Sequence, residues 1–282
     1  MEDIAQLPME GLKGSNRPGY TRRSRERRSI HKLSVIIPCF NEEETVAEIL
    51  ERVVSAPLPA GMAIEVVVVD DCSTDQSDEA IREFLQYTPG APVCHVRHDV
   101  NQGKGAAIQT ALLRVTGDYV LIQDADLEYN PAEYGRLIRP VLEGNADIVY
   151  GSRFMGGQPH RILFFWHTLG NKLLTFISNM VTNMNLTDAH TCYKLIRTPI
   201  LQAIPLEEKR FAFDAELNAK IARLKGVRIY EVGVSYYGRT FAEGKKIRLR
   251  DAFRTLWCLL KYAGRRTQSV PAHNPVAETT SL

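Results

Sequence analysis

Cysteine is scarce in this chain, and what there is does not pair by spacing. The five cysteines, Cys39, Cys72, Cys94, Cys192 and Cys258, are an odd number, far apart, with no CxxC step. That pattern excludes a disulfide framework and a zinc site, and fits free thiols in a reducing compartment. No uncharged run reaches the roughly 20 residues needed to cross a bilayer, and the first residues lack the apolar core of a signal peptide. Net charge is also small, at +2. It is unevenly spread: residues 1–32 hold eight Lys/Arg against four Asp/Glu, which leaves −2 for the rest. Nucleic-acid binding rests only on that arm and is not expected, because the body carries no basic surplus. A cytoplasmic protein follows, with membrane contact at most peripheral.

The chain has 282 residues, 44% of them hydrophobic, enough for one sizeable α/β domain. Residues 1–30 are polar and Arg-rich, and read as a disordered basic arm; 268–282 read as a second loose tail. Between them, over 31–267, β-rich runs alternate with helical periodicity. Strands are predicted at Leu33–Ile37, Ile64–Val69, Val93–Val96, Tyr119–Gln123 and Asp147–Tyr150. Helices are predicted from an Asn41 N-cap through Val46, Ile49, Leu50 and Val53, then over 75–87, 104–115 and 131–143. Repeated β-α-β units with buried-type strands imply a mostly parallel sheet with helices on both faces. Ligands of such sheets bind outside the carboxyl ends of the strands. That rule directs attention to 38–42, 70–75, 124–128 and 151–153.

Asp124-Ala-Asp126 ends an apolar run, so two carboxylates at i and i+2 face one crevice. Mg²⁺ or Mn²⁺ bound to a nucleotide diphosphate needs few protein oxygens, because phosphates and waters fill its other positions. Ala125 leaves room for a sugar or ribose, and Glu128 offers one more oxygen. Asp70-Asp71 closes a Val-rich strand, where adjacent buried acids need partners; one can orient a ribose or base edge. Thr74 or Asp75 caps the helix that follows. Asn101-Gln-Gly-Lys-Gly105 lacks the Walker A spacing. It is either a Gly-rich entry that brings backbone and Lys104 close to a nucleotide, or simply a helix start.

Together these segments resemble family 2 glycosyltransferases. Val35-Ile-Ile-Pro-Cys-Phe-Asn-Glu42, Val68-Val-Asp-Asp71, Asn101–Gly105, Asp124–Asp126 and Gly151-Ser-Arg153 stand in that family's order. Leu186-Thr-Asp-Ala-His-Thr-Cys-Tyr-Lys194, Phe213-Asp-Ala-Glu216 and the run Tyr236–Lys246 are similar to the dolichyl- and polyprenyl-phosphate mannosyl- and glucosyltransferase branch. The resemblance covers about 33–262. It implies a GT-A-type fold and a metal-dependent, inverting transfer of a hexose, glucose or mannose, from a UDP- or GDP-sugar to a polyprenyl phosphate.

The resemblance also implies roles. Pro38, Phe40 and Glu42 match a base-binding loop, with Phe40 where Tyr is frequent. Val69 and Asp71 match nucleoside contacts. Asp124, Ala125 and Asp126 match the nucleotide–metal element, with Glu128 where Gln is common. Arg153 matches a phosphate-contacting arginine. Arg239 and Lys245, or the adjacent Lys246, match cations on a mobile loop over the donor.

A phosphate acceptor is ionised near neutral pH and needs little help from a base. A sugar or protein hydroxyl, the alternative acceptor, needs a carboxylate, for which Asp188 and Glu216 are spare. A non-catalytic sugar-nucleotide-binding protein is the third reading. Apolar stretches near 161–184 and 250–263 have aromatics and basic flanks. They suit interfacial helices at a membrane surface, packing against the core, or contact between copies in a homo-oligomer.

Overall fold

The structure is a computed structural model that describes residues 30–157, 159, 161, 165–239 and 249–264. The expected arm, the 268–282 tail, Lys245 and Lys246 lie outside the described residues.

Four β-α steps and a fifth strand build the first half. Strand β1 (Lys32–Cys39) leads to helix α1 (Val46–Val54), β2 (Ala63–Asp70) to α2 (Ser77–Tyr87), and β3 (Val93–Arg97) to α3 (Lys104–Leu112). Then come β4 (Tyr119–Ile122), a 3₁₀ turn at Pro131–Glu133 running into α4 (Tyr134–Leu142), and β5 (Ile148–Ser152). The second half supplies α5 (Phe165–Thr182), β6 (Lys194–Arg197), α6 (Thr198–Gln202), α7 (Phe213–Ile221), β7 (Ile229–Gly233) and α8 (Leu249–Ala263).

The seven strands form one sheet in the order β3-β2-β1-β4-β6-β5-β7. Strand β6 runs antiparallel to both neighbours, β4 and β5, and the other pairings are parallel. The central strands bury side chains on both faces: Val35, Ile36 and Ile37 in β1, Val66, Val68 and Val69 in β2, and Val120 and Leu121 in β4 are fully enclosed. A strand covered on both faces reads as a continuous apolar run, and that is why these strands were legible. Helix α1 buries Val46, Ile49, Leu50 and Val53 as its spacing predicts.

The helix start differs from expectation. Asn41 does not cap α1; it takes a left-handed backbone (φ 51°) and Thr45 occupies the cap position. Its carbonyl oxygen Oδ1 accepts the Thr74 N–H at 2.8 Å, while Asn41 N–H donates to Ser73 Oγ at 2.9 Å. Glu42 N–H donates to Ser77 Oγ at 2.7 Å. Because Cys39 and Asp70 pair at the ends of β1 and β2, these bonds tie the two adjacent strand-exit loops into one rim.

Helix α7 packs on α8, and α5 runs beside both, with Ala212, Ala215, Ala219, Cys258, Leu259 and Tyr262 as their shared core. Among the described residues no helix is long and apolar enough to cross a membrane.

Candidate active site

A cleft of about 320 Å³ opens at the carboxyl ends of β1, β2, β4 and β5. Pro38, Phe40, Glu42, Asp71, Lys104, Asp124, Ala125, Asp126, Glu128, Arg153 and Arg239 all line it. Val69 does not: its side chain is fully buried in the sheet core.

The floor is held from beneath by buried polar side chains. Gln123, fully buried, donates from Nε2 to the Asp124 carbonyl at 2.9 Å. Its Oε1 accepts the hydroxyls of Tyr134 at 2.9 Å and Tyr193 at 2.8 Å. Tyr129 packs at a tilt between Tyr193 and Tyr236, with ring centroids 4.7 and 5.3 Å away. Satisfied networks of this kind fix one geometry, so the turn carrying Asp124 and Asp126 is rigidly presented.

Asp71 is nearly buried and does more than face the cleft. It accepts the N–H groups of Gln102 at 2.9 Å and Gly103 at 2.6 Å, and faces His98 Nδ1 at 2.7 Å. His98 Nε2 continues to Thr110 Oγ1 at 2.8 Å. The carboxylate therefore shapes the Asn101–Gly105 loop. The glycines of that loop answer to protein, not ligand. A Cβ on Gly105 would lie 2.2 Å from the Glu208 carbonyl oxygen, and one on Gly103 (φ 100°) would lie 2.6 Å from that of Lys209. Lys104 reaches Asp124 Oδ1 at 2.6 Å. Burial works against its charge, but Asp124, with Cys192 and Asp214, raises its pKa well above the ordinary lysine value.

Arg239 lies across the acidic centre. Its guanidinium is bidentate on Glu42, at 2.8 and 2.9 Å, and reaches Asp126 Oδ2 at 3.1 Å. Its backbone N–H donates to Glu128 Oε1 at 2.6 Å, and Tyr236 hydroxyl donates to Glu128 Oε2 at 2.8 Å. Glu128, expected as a metal ligand, thus has both oxygens engaged in bracing the 236–239 segment. Arg153 is forked onto fully buried Asp188 through Nε at 2.6 Å and Nη2 at 2.8 Å, beside the Tyr236 ring. Burial would raise the Asp188 pKa, but Arg153 holds it below the usual carboxylate range.

A divalent cation fits this centre. Four carboxylates, Glu42, Asp124, Asp126 and Glu128, face two cations, Lys104 and Arg239. Burial first, then Asp124 and Glu128, push Asp126 up to about 8, while Arg239 pulls it down; the excess negative charge is what a cation relieves. Among the described residues no three His, Cys, Asp or Glu converge to hold a metal alone. Mg²⁺ and Mn²⁺ do not need that when one or two carboxylates share them with substrate phosphates.

Residues 34–204, more than half of the chain, match the family described as Glycosyl transferase family 2. The chain belongs to that family. Among its relatives, an undecaprenyl-phosphate 4-deoxy-4-formamido-L-arabinose transferase from Edwardsiella ictaluri is 30% identical over 218 residues, 77% of this chain and 64% of the relative. A dolichol-phosphate mannosyltransferase from Pyrococcus furiosus is 27% identical over 236 residues, 83% of this chain and 65% of the relative. The matched region spans just under two thirds of these relatives' length. Among solved structures, glucosyl-3-phosphoglycerate synthase from Mycobacterium tuberculosis, crystallised with Mn²⁺, UDP and phosphoglyceric acid, superposes with a TM-score of 0.63 at 20% identity. That match covers 83% of this chain and 79% of the other. The likeness establishes the shared GT-A-type fold.

In this family 2 member, sequence reasoning gave no role to several residues of the cleft. His190, Cys192, Asp214, Tyr129 and Asn171 all line it. The first two sit inside Leu186–Lys194, where the sequence reading singles out Asp188 alone as a spare carboxylate. Glu216, held in reserve as a base, is spent elsewhere. It is fully buried on Lys220 and accepts the backbone N–H groups of Glu207 and Glu208.

Proposed function

We propose that this chain transfers a glycosyl group, a hexose in the sequence reading, from a nucleotide sugar to a polyprenyl phosphate at a membrane surface, with inversion. The observation that carries the reading is the cleft itself: an acidic pair at a strand exit, a buried arginine fork and a cation-bearing segment converge on one 320 Å³ space.

Pro38 and Phe40 offer an apolar seat for a base, and Asp71 anchors the loop beside it. Asp126, assisted by Asp124, would hold Mg²⁺ or Mn²⁺; when bound, that ion neutralises charge developing on the leaving diphosphate. Arg239 stands where its guanidinium can turn from Glu42 to a phosphate, adding preorganised positive charge. Arg153, held by its Asp188 fork, lines the cleft, where a guanidinium suits an acceptor phosphate. A phosphate monoester, with a second pKa of roughly 6, is already nucleophilic near neutral pH. Neither spare carboxylate favours the hydroxyl-acceptor alternative: Asp188 is ion-paired to Arg153, and Glu216 is enclosed on Lys220.

Helix α5 supports the lipid side. Its inward face combines apolar packing by Ile177 and Val181 with polar anchors: Thr175 Oγ1 accepts the Ala189 N–H at 3.3 Å, and Asn179 exchanges bonds with the Leu186 backbone at 2.7 and 3.1 Å. Its outward stripe is apolar: Trp166, Leu169, Leu173, Phe176 and Met180, spaced by three and four, are all exposed. Phe253, Trp257 and Leu260 of α8 are exposed as well, with Arg254 and Lys261 over the Trp257 ring. An apolar face rimmed by cations suits an anionic bilayer. Asn171 of the same helix lines the cleft, linking that face to the site.

The test is release of nucleoside diphosphate from a panel of UDP- and GDP-sugars with Mg²⁺ or Mn²⁺. Release that rises with added polyprenyl phosphate, and not with soluble sugars or peptides, is the expected result. Equal release with hydroxyl acceptors contradicts the acceptor class.

A further inference from the structure

One wall of the cleft has chemistry that neither the diphosphate nor the lipid phosphate calls for. His190 lies between α5 and β6, and its backbone N–H donates to Asp188 Oδ1 at 3.3 Å. His190 lines the cleft, and its ring Nε2 is buried and has no hydrogen-bond partner among the described residues. Buried polar atoms are normally paired, so an orphaned ring nitrogen in a cleft wall marks a place for a ligand atom. Burial pushes the His190 pKa down to about 4 against the pull of Asp214 and Asp188. Near neutral pH the ring is therefore uncharged, with one N–H and one lone pair.

The neighbours share a character. Asp214 lines the same wall, with Oδ1 accepting from buried Lys194 at 2.7 Å. Lys104 lines it too, bound to Asp124. An ammonium, a carboxylate and a neutral imidazole alternate donors and acceptors. Both ammonium groups here already hold carboxylates, Lys194 on Asp214 and Lys104 on Asp124, so the wall offers a phosphate no surplus positive charge; the apolar base seat at Pro38 and Phe40 belongs to other strand exits. Vicinal hydroxyls, each both donor and acceptor, match the wall.

We propose that His190 is a specificity residue for the transferred sugar: Nε2 bonds one sugar hydroxyl, in a wall completed by Asp214 and Lys104. The inference rests on the donor reading given above. A site built to bond a hydroxyl discriminates against sugars that place it elsewhere.

The test compares wild type, His190→Leu and His190→Gln in three measurements. These are kcat/KM for the preferred nucleotide sugar and its epimers, KM for polyprenyl phosphate in vesicles, and affinity for the bare nucleoside diphosphate with Mn²⁺. Losing one buried hydroxyl contact lowers donor kcat/KM by roughly tenfold in His190→Leu. Epimer preference narrows, while nucleoside diphosphate affinity and lipid KM stay near wild type. His190→Gln, which keeps a polar head, retains part of the donor kcat/KM with an altered epimer ratio. It carries the test alone should the leucine variant fail to fold. Unchanged donor kinetics and epimer ratio in folded variants overturn the proposal, as does an effect confined to the lipid KM. A wild-type protein that binds no nucleotide sugar with metal sinks the donor reading itself, a distinct outcome.

Discussion

Asp126 stands between Asp124, Glu128 and Glu42, and Arg239 offsets part of that repulsion at its carboxylate. Asp126→Ala is expected to abolish transfer and metal-dependent nucleotide binding together, without loss of thermal stability. Asp71→Ala should weaken nucleotide binding with or without metal, because the N–H groups of Gln102 and Gly103 lose their acceptor. Calorimetry with and without Mn²⁺ separates the two, and equal metal dependence in both variants would contradict these roles. His190 makes a pH prediction. Its folded pKa, about 4, lies below the ordinary histidine value of 6.5. Between those values the unfolded chain binds a proton that the folded chain refuses, so stability is lost as pH falls through that window. The melting temperature of His190→Gln should therefore fall less than that of wild type from pH 7 to 5, and parallel curves would refute this. At this scale the sequence showed which acids close the strands, since each follows an apolar run. It did not show their partners. The bond from Asp71 to His98, the Arg153–Asp188 fork and the bracing by Glu128 all join residues 25 or more positions apart. No local pattern encodes such pairs, and Asn41 looked like a helix cap because its left-handed backbone is set by Ser73 and Thr74 across the rim.

Strands β1 to β5 and helices α1 to α4 were readable because buried parallel strands concentrate β-branched residues and the helices between them bury one stripe. Helix α7 was not read, for a physical reason: Glu216, Asn218 and Lys220 are buried along with its apolar residues, so it has no polar face. Strand β6 is four residues long and antiparallel, held between β4 and β5 by pairing that its own sequence does not announce. The entry to α3 carries a sharp prediction. Gly105→Ala places a methyl group against the Glu208 carbonyl, an overpacking that should cost about 1–3 kcal/mol in denaturant unfolding; a cost near zero would contradict the packing. Helix α5 carries another. Burying an aromatic side chain contributes about 1.5–3 kcal/mol, so Trp166→Glu/Phe176→Glu should weaken vesicle binding by roughly tenfold or more. Nucleotide affinity should hold, since neither residue lines the cleft. Unchanged vesicle binding would assign the stripe to another partner.

Across the whole molecule, the sheet gathers the strand exits on one edge, and α5 extends from that edge with its apolar stripe outward. Under the proposed function, a soluble donor on the β1–β2 rim and a lipid acceptor arriving along α5 would meet at one cleft. Only part of this was legible in the sequence: alternation of strands and helices placed the exits, while the facing of α5 needed the structure, because its stretch suited interface, core or copy contact. The most direct measurement is mass spectrometry of lipids recovered from anionic vesicles containing polyprenyl phosphate, after incubation with nucleotide sugar and Mn²⁺. The account predicts a polyprenyl phosphate heavier by one glycosyl unit, made by wild type and absent with Asp126→Ala. Donor turnover with the polyprenyl phosphate left unmodified would contradict it.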